Sequence, residues 1–99
     1  MSYEEELKGL RKHIDLIDES IYQDIVVRLL YTSQIGLLKK EFGVNEMSQT
    51  RRDEILEKIK GWAINDGVPV YLVSKIFNEL INASTLEQTL IINEVKKLG

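Results

Sequence analysis

Leu7–Phe42, LKGLRKHIDLIDESIYQDIVVRLLYTSQIGLLKKEF, is the stretch that decides how this chain folds. Along it Leu7, Leu10, Ile14, Ile17, Ile21, Ile25, Arg28, Thr32, Ile35, Lys39 and Phe42 follow one another at steps of three or four residues. That repeat is one face of a single helix pressed against partners. No proline interrupts it. At about 1.5 Å per residue the segment spans roughly 54 Å, far beyond a typical globular helix. The rest of a 99-residue chain, folded as a compact ball, is too small to cover such a stripe. The helix needs a second chain, or it must splay.

Arg28 and Lys39 stand on the stripe where leucines are expected. Their spacing points them within about 20° of each other and roughly 16 Å apart along the axis, so a ligand between them can touch both long side chains. Arg11 lies about 25 Å from Arg28 and roughly 100° around the axis. It is therefore either a surface residue or a contributor to a site built largely by another chain.

The bulk numbers narrow the function classes. Residues 1–99 are expected to form one domain, with 43% hydrophobic and 29% charged residues, ordinary values for a globular protein. The absence of cysteine removes disulfides, thiolate metal sites and cysteine nucleophiles. No apolar run approaches the roughly 18 residues of a membrane span, and the acidic MSYEEEL start is unlike a secretory signal. A cytoplasmic protein is the expectation. A net charge of −3 argues against a general nucleic-acid binder, whereas cations inside an acidic chain suit a small anionic ligand.

Two more helices follow. Residues 1–6 read as a frayed acidic lead-in, the first helix runs to about Glu41, and Gly43 supplies its stop. Ser48 or Thr50 caps a second helix, whose buried face is Ile55, Leu56, Ile59, Trp62 and Ala63 and which ends at Asn65-Asp66-Gly67. Pro69 suits the first turn of a third helix, with Phe77, Ile81, Ser84, Gln88, Ile91 and Val95 in line. No stretch alternates with period two for long enough to make a strand. The fold class is all-α, three helices, long–short–long.

Polar groups interrupt this third row too. Ser84 and Gln88 stack one turn apart. A buried amide without a partner costs about 1–3 kcal/mol, so Gln88 needs a protein, water or ligand partner. Arg51 and Arg52 open the second helix, where its positive end disfavours cations. Asp53 and Glu54 partly offset that charge, but guanidinium forks beside free backbone N–H groups also make an anion site. His13 has no metal-ligand partner spaced around it, and neither a phosphate loop nor a Ser/His/Asp arrangement occurs. An enzyme of this composition works without a nucleophile or a histidine base.

LRKHIDLID (10–18), VVR (26–28), IGLLKK (35–40), RR (51–52) and NASTLEQ (82–88), in that order and spacing, resemble the all-helical class of chorismate mutases. The likeness covers nearly the whole chain. It implies an intertwined homodimer of three-helix chains with shared active sites, no metal or organic cofactor, and a role in aromatic amino-acid biosynthesis, the shikimate pathway. It further implies that Arg28 and Arg11 of the partner chain bind the two carboxylates of chorismate, helped by Arg51 near the ring end. Lys39 and Gln88 would donate to the ether oxygen whose bond breaks, and Ser84 would support a carboxylate. The product would be prephenate, formed by a unimolecular [3,3] rearrangement.

Two positions depart from the family pattern. Ser48 stands where the family usually has an aspartate, and Arg52 where it usually has a glutamate facing the ring hydroxyl. Ser48 can contribute through its backbone or hydroxyl. Arg52 cannot accept a hydrogen bond, and either swings into solvent or adds a cation to the site. An isochorismate-pyruvate lyase is therefore an alternative, and a non-catalytic, anion-sensing or partner-binding helical dimer is another of a different class.

Overall fold

The computed structural model describes residues 2–98, with side chains described for residues 2–94. Its elements are α1 (Tyr3–Glu41), α2 (Gln49–Asp66) and α3 (Val70–Leu98), of 39, 18 and 29 residues. The long–short–long, all-α expectation holds, and no strand occurs among the described residues. Val95, expected on the α3 row, lies outside the residues whose side chains are described.

The helix ends follow from local chemistry, with one correction. The expected frayed lead-in over residues 1–6 is helical from Tyr3 onward. Ser2 Oγ accepts the Glu5 N–H at 3.2 Å, and Glu4, Glu5 and Glu6 set negative charge in the first turn. A capping hydroxyl plus favourable dipole interactions is enough to start the helix early. At the other end Gly43 takes φ +68°, a left-handed conformation that a side chain disfavours. Val44 N–H then reaches back to the Lys39 carbonyl at 2.7 Å, and Gly43 N–H to that of Lys40 at 3.3 Å, the Schellman closure. Ser48 is the cap of α2, its Oγ accepting the Arg51 N–H at 3.0 Å. Gly67 ends α2 in the same left-handed way as Gly43 ends α1.

The chain divides into two compact units, Met1–Tyr31 and Thr32–Gly99. The first is a helical segment on which Leu10, Ile14, Ile17 and Ile21 are each more than half exposed. In the second, α2 packs on α3. Ile59, Ala63, Ile81 and Ile92 are its buried apolar residues, and Ile55, Leu56, Phe77 and Ile91 are half-buried beside them. Trp62, expected on the buried face of α2, is instead 62% exposed. It lies about 100° around the helix from Ala63, at the edge of the stripe, where so large a ring overhangs into solvent.

The last turns of α1 belong to the second unit and lie against α3. Thr32 and Gly36 are buried there. A Cβ on Gly36 would stand 3.3 Å from Gln88 Cα and 3.3 Å from Ile91 Cδ1. Hydrogen at this position is what lets the two backbones come together beside Gln88. Among the described residues, no helix is long and apolar enough to cross a membrane.

Candidate active site

Three ties between α1 and α3 build the site, rising one turn at a time. Lowest, the Thr32 hydroxyl donates to Glu87 Oε1 at 3.4 Å, and the Ser33 hydroxyl donates to the same oxygen. Next comes the close approach at Gly36. Last, Lys39 Nζ donates to Gln88 Oε1 at 2.8 Å. Each works because α1 presents these residues at helical spacing to Glu87, Gln88 and Ile91 of α3.

The Lys39–Gln88 bond answers the need for a partner that a buried glutamine creates. Gln88 is only 8% exposed. An ammonium can only donate, so Gln88 presents its carbonyl oxygen to Lys39 and turns its NH₂ away. That NH₂ makes no hydrogen bond among the described residues. Yet among the described residues no buried side-chain nitrogen or oxygen lacks a partner, so the NH₂ opens onto accessible space. Lys39 keeps further N–H donors of its own. The pair is thus a cationic donor and a neutral donor, oriented before any ligand arrives.

The N-terminal end of α2 adjoins this pair. Met47, immediately before the Ser48 cap, sets its Sδ 3.4 Å from Lys39 Nζ. Arg51 is exposed and ion-paired with Glu54 at 3.4 Å. Arg52 neither swings into solvent nor turns toward an acid. Its Nη1 donates to Asn78 Oδ1 at 3.0 Å and its Nη2 to Asn82 Oδ1 at 2.6 Å, which bridges α2 to α3.

Lys39, Met47, Ser48, Arg51, Arg52, Ser84 and Gln88 all belong to the unit Thr32–Gly99, whereas Arg11 and Arg28 belong to Met1–Tyr31. Arg28 is half-buried and Arg11 exposed. Ser84 is buried, and its hydroxyl donates to the Leu80 carbonyl at 2.9 Å, so supporting a carboxylate would mean exchanging that bond. The hydroxyl of Ser48 is already engaged as the cap of α2.

Sequence reasoning passed over several participants. Glu87 sits beside Gln88 within NASTLEQ, and Thr32 was visible on the stripe as a polar interruption. Asn82 opens NASTLEQ, but nothing in the sequence tied it, Asn78 or Met47 to a partner, because their contacts come from other segments of the fold.

Paired donors with cations near by, on a helical scaffold, have the chemistry to bind a small anion. Residues 10–89 match the family described as Chorismate mutase type II, and the chain belongs to that family of isomerases. No curated protein and no solved structure gives a significant match to the chain.

Proposed function

We propose that this chain converts chorismate to prephenate in a site shared between two copies of itself. The reaction is a unimolecular [3,3] rearrangement, so it needs no nucleophile and no proton shuttle. The protein must hold the substrate with its two reacting ends together and stabilise charge developing on the ether oxygen as its bond to carbon breaks.

The Lys39–Gln88 pair carries this reading. With Gln88 Oε1 and Met47 Sδ each taking one Lys39 N–H, the Gln88 NH₂ and the third Lys39 N–H can converge on one acceptor oxygen. Removing one preorganised donor of this kind costs about 2.7–4 kcal/mol of barrier. Arg28, on the same sequence stripe as Lys39, binds one carboxylate of the substrate. Arg11 of the second copy binds the other, with Arg51 at the ring end and Ser84 as a supporting hydroxyl. The exposed apolar residues Leu10, Ile14, Ile17 and Ile21 support the second copy, since a stripe of this length is covered by another long helix. Prephenate formation places the chain in aromatic amino-acid biosynthesis, and a cytoplasmic setting suits that role.

Arg52 favours keeping a second reading in view. A guanidinium stands where the family usually offers an acceptor to the ring hydroxyl, which suits a substrate whose hydroxyl has moved, as in isochorismate. Purified protein incubated separately with chorismate and isochorismate, with products separated by chromatography, distinguishes the two. We expect prephenate from chorismate, with kcat reduced at least a hundredfold in Lys39→Ala. Pyruvate and salicylate from isochorismate would identify a lyase instead. Turnover of neither would leave an anion-binding dimer.

A further inference from the structure

We propose that Met47 is an oxidation site that controls the availability of Lys39. Lys39 Nζ has two side-chain acceptors, Gln88 Oε1 at 2.8 Å and Met47 Sδ at 3.4 Å. The first holds Gln88 in its donor orientation. The second is a thioether, a soft and weak acceptor that a substrate oxygen displaces at little cost. Met47 lies in the segment between α1 and α2 and is half-exposed, a setting that a small oxidant can approach.

The sulfur inventory makes the site selective. The chain has no cysteine and two methionines, Met1 and Met47. Peroxide chemistry at sulfur is therefore confined to the chain start and to the atom resting on Lys39. A peroxide transfers one oxygen atom to Sδ: its O–O bond breaks, an S–O bond forms, the sulfur loses two electrons and water leaves. The sulfoxide oxygen is a strong, dipolar acceptor in place of a weak one, and a small displacement of the Lys39 ammonium, 3.4 Å from the sulfur, lets the two engage. A charge-assisted hydrogen bond of this kind is roughly twice as strong as a neutral one. The Lys39 N–H that a substrate oxygen would take from the thioether is then held more tightly, and the ammonium is drawn toward Met47. A dithiol-dependent methionine sulfoxide reductase reverses the step, taking the oxygen away as water and restoring the thioether.

The effect on turnover rests on the chorismate mutase reading of Lys39, whereas the contact itself does not, so the test has two readouts. Wild type and Met47→Leu are treated with dilute hydrogen peroxide, and the sulfoxide is located by peptide mass. Chorismate turnover and the rate of reductive methylation of Lys39 are then measured before and after treatment. In the wild type both should fall, turnover by about tenfold, part of what losing one donor costs, and methionine sulfoxide reductase should restore both. Each Met47→Leu rate should be the same treated or untreated. Met47→Gln, which sets an amide carbonyl near the sulfoxide position, should show the low rates without peroxide.

A Met47 sulfoxide confirmed by mass with both rates unchanged overturns the proposal. An equal loss in Met47→Leu also overturns it, by placing the damage elsewhere. If the untreated protein does not turn over chorismate, the mutase reading fails separately, and the methylation of Lys39 alone decides whether the sulfoxide engages it.

Discussion

With two N–H donors bound to neutral asparagine carboxamides, Arg52 keeps its full positive charge beside the N-terminal end of α2. Among the described residues it forms no ion pair with a carboxylate. A ring substituent reaching this end of a bound substrate therefore meets a cation. At about 6 Å and an effective dielectric constant between 20 and 80, two like charges repel by about 0.7–3 kcal/mol. The wild type should discriminate against 4-amino-4-deoxychorismate, whose ring nitrogen is cationic, by about tenfold in kcat/KM relative to chorismate. Arg52→Gln should bring that ratio close to one, as read from competing-substrate kinetics. An unchanged ratio would put the guanidinium out of reach of the ring. The presence of Arg52 at an unusual position was legible in the sequence. Its placement was not, because that depends on Asn78 and Asn82, more than twenty residues away on another helix.

All three helices could be read from the three-and-four repeat, and their stops from Gly43 and from Asn65-Asp66-Gly67, because these features act locally. The use made of Gly36 could not. Gly9, Gly36 and Gly61 are all helical glycines, yet a Cβ would meet nothing within 4 Å at Gly9 or Gly61 and two atoms at 3.3 Å at Gly36. Only the packing partner separates these cases. Because one of those two atoms is the Gln88 backbone, α1 and α3 must separate to admit a branched side chain. Gly36→Val should therefore lower kcat by at least tenfold while far-UV circular dichroism still reports a helical protein, since misplacing a positioned donor by about 1 Å can cost a hundredfold. The same substitution at exposed Gly61 should leave kcat near the wild-type value, which makes it the control.

At the scale of the whole molecule, the length of the first helix pointed to a second chain, and Leu10, Ile14, Ile17 and Ile21 stay exposed in the single chain. In the proposed dimer, the crossing of Arg11 into the partner's site has a direct test. If Arg11 serves the partner's site and Lys39 its own, Arg11→Ala and Lys39→Ala each disable both sites of a homodimer. Unfolded together in equal amounts and refolded, they should form mixed dimers with one intact site. Turnover should return to about a quarter of the wild-type value, as expected from random pairing of two symmetric subunits. No recovery, with mixed dimers confirmed by native mass spectrometry, would put Arg11 and Lys39 in the same chain's site. The closure of α1 at Gly43 adds a consequence of another kind. Its shortest bond ends on the carbonyl of Lys39, the residue whose side chain is bound to Gln88. Helix termini open far more readily than helix centres. Fraying of that one turn would swing Lys39 away from Gln88 while the rest of the bundle stayed folded. The upper working temperature of this protein should therefore be set by that single turn: activity is expected to fall at a lower temperature than the far-UV circular dichroism of the bundle, as paired thermal scans would read.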